Sequence, residues 1–208
     1  MENGNRMPDN GTVLIESETA IDWLALQKQA HREFSLRLGA ITDWDAPTPD
    51  AEWSIRDLVR HVVEEQQWVP QLLAGRTVAQ ARKQLDPLGD DLRAEWRLYS
   101  LAASAAWDAA DPTALVKLSF DTVPVTEYLR EQTSDVTIHS WDLARAVGAD
   151  ETLDAELVNA VWTVYEPQRN TLAASGLYAS PVSLSEDAPL QSRLLALTGR
   201  DDRRPVQA

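Results

Sequence analysis

The stretch "WSIRDLVRHVVEEQQWVPQLLAG", Trp53–Gly75, reads as one helix with both ends marked. Ser54 stands where an N-cap side chain accepts early amide hydrogens, Asp57 follows in a capping-box position, and Gly75 closes the run. Between them Ile55, Leu58, Val59, Val62, Val69, Leu72 and Leu73 recur at the i, i+3, i+4 spacing that lines one helical face. Pro70 has no amide hydrogen and its ring clashes with the carbonyl one turn back, so a kink or an early stop is predicted there.

The same periodicity extends on both sides. A first helix is predicted from about Thr19 to Ile41, with Ile21, Leu24, Lys28, His31, Phe34 and Leu38 near one stripe, before "TDWDAPTPDAEW" breaks it. Beyond "DPLGDD" a third helix is predicted from about Asp91 to Ala110, packing through Leu92, Trp96, Leu101 and Ala105. "LVKLSFDTVPV" is short, β-branched and aromatic, and suits an extended excursion or one small hairpin. A fourth helix starts near Val125 or Thr126 and ends at Gly148. A fifth, from about Asp154 to Ser175, is interrupted at Pro167. In the tail Asp187 is expected to cap, Pro189 to fall in the first turn, "LQSRLLAL" to supply the apolar stripe and Gly199 to end it. The expectation is an all-α antiparallel four-helix bundle with one or two additional C-terminal helices. Residues 16–201 would form it, between a flexible leader at 1–15 and a tail at 202–208.

Composition narrows the function. The 208 residues are 44% hydrophobic, enough for a substantial core. There are 33 acidic against 19 basic residues, a formal charge of −14, which repels nucleic acid and anionic lipid surfaces. No apolar run is long enough to span a membrane, and "MENGNRMPDNGTVLIESE" lacks the basic and apolar regions of a secretory signal, so a cytoplasmic protein is expected. Cysteine is absent, which excludes disulfides, cysteine metal knuckles and a cysteine nucleophile.

The three histidines are His31, His61 and His139. In "SDVTIHSWDLARAVG", Ser134–Gly148, Asp135 and His139 share a face that Val136, Leu143 and Ala146 turn inward. Two readings of that pair stand side by side. One is an ordinary buried Asp–His hydrogen bond; the other is a pair of metal ligands completed from a neighbouring helix, as bundle cores allow. His61 alone reads as a partly exposed or satisfied histidine, and His31 as structural or exposed. Glu65, one turn beyond His61, is either an outer partner of a ligand histidine or one more solvated acid. Trp141 and Asp142 suit helix packing and a backbone hydrogen bond. Arg145 suits an acidic partner or an anionic substrate.

"PTPDAEWSIRDLVRHVVEEQQWVPQLLAG", "HSWDLARAVG" and "DAPLQSRLLALTGRD" together resemble the family of the mycothiol-dependent maleylpyruvate isomerase metal-binding domain. That family belongs to the DinB-like superfamily of four-helix bundles, and the chain is most similar to its short, single-domain actinobacterial members, from about Thr19 to Asp201. The resemblance implies a divalent metal held by His61, Asp135 and His139, zinc first, with nickel or iron as alternatives. It also implies mycothiol or a similar thiol as cosubstrate and an electrophilic small molecule as substrate. Two departures stand out: Asp135 replaces the glutamate of the isomerase and is a methylene shorter, and Asp50 stands where relatives often carry cysteine.

Two imidazoles and one carboxylate leave a fourth position of a tetrahedral site open, the pattern of a catalytic rather than a structural zinc. With both histidines engaged as ligands, the motif leaves no further histidine as a base for water, whereas a soft thiolate suits the ion directly. The resemblance accordingly implies a metal-dependent transferase or isomerase using a low-molecular-weight thiol. The competing function is a non-catalytic metal-binding or stress-response bundle that forms a homodimer through its helices.

Overall fold

The computed structural model describes residues 20–50, 52–119, 121–176 and 178–204. Asp22 caps α1 (Trp23–Gly39) by accepting the Ala25 amide at 3.0 Å. Ser54 opens α2 (Ile55–Leu73) with the full capping box, Asp57 Oδ2 accepting the Ser54 amide at 3.0 Å. A short α3 (Val78–Ala81) and a 3-10 turn lead to α4 (Leu92–Ala109), capped by Asp91. The strands β1 (Leu115–Lys117) and β2 (Thr122–Pro124) form one small antiparallel hairpin with Val116 opposite Val123. Then come α5 (Val125–Ala146), α6 (Ala155–Tyr165), α7 (Arg169–Ser175) and α8 (Leu190–Leu197), with a 3-10 turn containing Pro167 between α6 and α7. The fold is all-α apart from that hairpin. No helix among the described residues is long and apolar enough to cross a membrane.

Helices α1, α2, α4 and α5 make the bundle. Trp96 Nε1 donates to Ser35 Oγ at 2.8 Å, and Lys28 near the start of α1 pairs with Asp108 near the end of α4, so these two run antiparallel. His61 lies against Asp135 and Glu65 against Gln132, which makes α2 and α5 antiparallel as well. Trp23 lies beneath Arg130 while Arg37 reaches the Thr152 carbonyl just past α5, so α1 and α5 run the same way. The bundle is thus two parallel pairs, α1 with α5 and α2 with α4, set antiparallel to one another. A parallel pair needs a connection that returns the full helix length. The 19 residues of α2 rise roughly 28 Å, and the segment 74–91 covers that distance.

Several expectations are corrected. The α1 stripe is Leu26, Ala30, Phe34, Leu38 and Ile41, with Ile21 and Leu24 exposed; Thr19 and the leader at 1–15 lie outside the described residues. In α4 the buried positions are Leu92, Trp96, Ala103 and Trp107, while Leu101 and Ala105 face solvent. The steps of four and seven residues that join the buried set keep one face, and 101 and 105 fall off it. Pro70 does not stop α2, which continues to Leu73. It sits in the last turn, where one missing amide costs a single hydrogen bond and the buried Val69 and Leu72 hold the helix down. Asp187 does not cap α8, whose cap position is Pro189. A residue before proline is held out of the helical region, so the helix cannot begin nearer to Asp187.

Helices α6 and α8 cover the outer side of α5 through Ile138, Trp141, Leu153, Val158, Val161, Tyr165, Leu194 and Leu195. Arg145 pairs with Glu151 at 2.7 Å and also donates to the backbone carbonyls of Asp202 and Arg204, docking this stretch of the tail.

His31 is structural and buried. Gln27 Nε2 and Gln66 Oε1 lie 2.9 and 3.0 Å from its Nε2, Ser104 Oγ lies 3.3 Å from Nδ1, and Trp96 meets the ring edge-on at 5.0 Å. Burial pushes its pKa down to about 4, against a smaller upward pull from Gln66. A folded-state pKa below the unfolded value means that the unfolded chain binds the extra proton. The neutral ring's contribution is therefore complete above about pH 6.5 and is lost as the pH falls toward 4. Relative to His31→Gln, the wild type should lose about 2 kcal/mol of unfolding free energy between pH 7 and pH 5, read by urea denaturation at both pH values. Parallel curves for the two proteins would contradict this assignment.

Candidate metal centre

The site lies where α2 faces α5. The loop between α1 and α2 is zipped onto itself: Thr48 donates to the Trp53 carbonyl through both its amide and its hydroxyl, and Ile55 N donates to the Ala46 carbonyl at 2.9 Å. This fixes Trp53 over both site histidines, with ring centroids 4.9 Å from His61 and 5.6 Å from His139 and the latter pair stacked. The two imidazoles meet edge-on at 5.2 Å.

His61, Asp135 and His139, the three ligand candidates of the sequence, converge: one ligand atom from each lies within 4.8 Å of the others. His61 Nε2 is 3.5 Å from Asp135 Oδ2, and His139 Nε2 is 3.4 Å from Asp135 Oδ1. Ligands about 2.05 Å from a tetrahedral ion stand roughly 3.3 Å apart, and each imidazole nitrogen is near that distance from one of the two Asp135 oxygens. Asp135 Oδ2 is buried and makes no hydrogen bond. A carboxylate oxygen left this way is costly unless something positive faces it.

The electrostatics agree. Burial pushes the Asp135 carboxyl up, but the imidazoles of His139 and His61 facing it outweigh that and hold it well below the usual carboxylate range. Burial pulls both imidazoles down; the Asp135 carboxylate reverses this, raising His61 and, with help from Asp142, lifting His139 to about 9. The carboxylate thus demands positive charge on its two neighbours, and a divalent cation at the same three atoms would meet that demand.

Two further carboxylates bear on the site. Asp142, fully buried, accepts from His139 Nδ1 at 3.0 Å and receives a two-pronged bond from Arg200, Nε to Oδ1 at 2.7 Å and Nη2 to Oδ2 at 2.5 Å. The expected backbone hydrogen bond of Asp142 is replaced by this ion pair. Arg145, for which an acidic partner or an anionic substrate was open, takes Glu151 and lies over the Trp141 ring. Glu65 is half-buried, accepts from Gln132 Nε2 at 3.0 Å, and is pushed upward in pKa by burial and then by the Asp135 charge. It is not the freely solvated acid of the "EEQQ" run, nor does it bond His61.

A family model described as the mycothiol maleylpyruvate isomerase N-terminal domain matches residues 28–144, more than half of the chain. The chain belongs to that family. Two uncharacterized proteins of Mycobacterium tuberculosis, Rv0738 of strain H37Rv and MT0763 of strain CDC 1551, are each 35% identical to it over 112 residues, 53% of this chain. The chain spans 58% of the length of these curated relatives. The crystal structure of the mycothiol-dependent maleylpyruvate isomerase superposes with a TM-score of 0.63 at 16% identity, covering 87% of this chain and 89% of that one. A histidine-to-alanine mutant of the isomerase gives 0.62 at 16% identity, covering 85% and 88%. At that identity the likeness establishes the fold. His61, Asp135, His139 and Asp142 fall inside the matched span, whereas Arg200 lies beyond it.

Sequence reasoning missed the Asp142–Arg200 pair. The acid was visible three residues after His139, but nothing local identifies a partner in a different helix-and-turn segment. Glu65 offers a separate check on the site's electrostatics. Its folded-state pKa lies above the unfolded value, so its ionisation weakens the fold as the pH rises through that window. In metal-free protein, Glu65→Gln should raise the thermal midpoint at pH 7, and the gain should shrink as the pH falls to 4. A lower midpoint at pH 7 would contradict the burial of an ionised Glu65.

Proposed function

We propose that His61, Asp135 and His139 hold a divalent metal ion, zinc before nickel or iron, and that the protein uses it with a low-molecular-weight thiol such as mycothiol. The reaction would be a transfer or isomerisation on a small electrophilic substrate. The observation that carries this reading is the convergence of the three side chains, whose ligand atoms lie within 4.8 Å of one another, with Asp135 Oδ2 buried and without a hydrogen bond. Membership of the isomerase family supports the thiol.

Held by these three residues, the ion would lower the pKa of a thiol brought to it. The protein's own groups do the rest. Trp53 covers both imidazoles and keeps water off their faces. Asp142 Oδ2 takes the His139 Nδ1 hydrogen, which leaves Nε2 as the lone-pair donor. Glu65 accepts from Gln132 Nε2, and its raised pKa would suit it to carry the thiol proton transiently. Localisation in the cytoplasm, where such thiols are kept reduced, belongs to the same proposal.

Elemental analysis of purified protein should find one zinc per chain, and His61→Ala should lower zinc affinity by more than the 10- to 100-fold typical of losing an outer partner. Cobalt-substituted protein titrated with mycothiol or a simple analogue should develop a sulfur-to-metal charge-transfer band. Unchanged zinc in His61→Ala would refute the triad. No band at millimolar thiol, with cobalt still bound, would refute thiol activation and leave a metal-binding bundle as the better account.

A further inference from the structure

We infer that Arg200 is a positioning residue for the metal centre, acting through Asp142 on His139, so that the segment from α8 onward sets the cation affinity of ligands on α2 and α5. This rests on the triad reading and extends it to residues outside the family's matched span.

The geometry begins with the imidazole of His139, which lies between two carboxylates. Its Nε2 faces Asp135 Oδ1 at 3.4 Å and its Nδ1 faces Asp142 Oδ2 at 3.0 Å. A histidine can bind a cation through Nε2 only if the ring proton sits on Nδ1. Asp142 Oδ2, 3.0 Å from Nδ1, is the acceptor that favours that arrangement. Asp142 is completely buried, so its bonding partners rather than water set its orientation. Arg200 is the partner that faces it from the other side: its guanidinium bonds both carboxylate oxygens. The fork-to-carboxylate match also fixes the plane of the Asp142 carboxyl, and with it the direction in which His139 points.

Arg200 is itself held in place. Its Nη1 donates to the Thr198 carbonyl at 3.0 Å, its side chain is 6% exposed, and its guanidinium lies over the Tyr178 ring. The turn that delivers it depends on Gly199, which has φ of +78° and sits so close to Ala179 that an added Cβ would come within 2.6 Å of that residue's Cβ. A guanidinium committed at both ends, to Asp142 and to its own backbone, acts on the site through Asp142.

The test uses zinc alone, with affinity read by chelator competition on wild type, Arg200→Gln, Arg200→Lys and Asp142→Asn. Circular dichroism confirms that each retains the helical fold. Arg200→Gln and Asp142→Asn should bind zinc about 10- to 100-fold more weakly, with Arg200→Lys in between because it keeps the charge but loses the fork. The zinc-loaded wild type gives an independent reading if a variant fails to fold: long-range nitrogen–proton correlation should place the His139 hydrogen on Nδ1. Folded Arg200→Gln that binds zinc within twofold of wild type overturns the inference, as does a His139 hydrogen on Nε2. Wild-type protein that takes up no zinc at all instead overturns the triad reading on which it rests.

Discussion

A carboxylate sealed from water ties the two halves of this protein together. Asp142 sits on the outer flank of α5, where α6 and α8 close over it, and its charge is tolerated because Arg200 and His139 bond it from opposite sides. Removing either neighbour would leave a buried charge without full compensation, a far larger penalty than losing an exposed ion pair. The last helix therefore cannot drift off α5 without exposing or stranding that charge. The apolar contacts of Ile138, Trp141, Leu194 and Leu195 hold the same seam, but they carry no directional information. The ion pair supplies the direction and passes it to the imidazole beside it.

Much of the architecture was written locally. The Ser54–Asp57 box and the glycine after α5 announce helix ends in the sequence and appear as such. Gly148 adopts φ of +66°, and the Ala149 amide reaches back to the Ala144 carbonyl, the closure that a glycine at that place permits. What periodicity could not give was phase. In α1 and α4 several side chains are apolar around more than one face, so Ile21, Leu24 and Leu101 looked as buried as Leu26 and Ala103. Only the packing partners decide between them. Helix order in space was equally hidden, since pairing α2 with α4 in parallel depends on the long connection at 74–91 rather than on any helix sequence.

The site shows the same division. Asp135 and His139 announce themselves by a one-turn spacing on an inward face, and family likeness adds His61 from α2; the three are indeed brought together. The shorter side chain at position 135 does not keep it from meeting both imidazoles at 3.4 and 3.5 Å. Arg200 was illegible, because an arginine in a tail looks like any solvated cation until the fold buries it. His31 was ambiguous for the opposite reason: its polar neighbours Gln27, Gln66 and Ser104 come from three helices, so its burial could be seen only once α1, α2 and α4 were packed.

The separation of Asp142 from Arg200, 58 residues along the chain, also bears on the order in which the protein is made. At 5–20 residues per second, a ribosome that has just added Asp142 needs about 3–12 s more to reach Arg200. During that interval α2 and α5 can already meet, with the His139 imidazole lacking its fixed neighbour and the Asp142 carboxylate lacking its guanidinium. A nascent chain would pass through a stage in which the bundle core exists but the site is loosely set. Docking of the Gly199 turn then becomes the step that separates an assembled bundle from a finished centre.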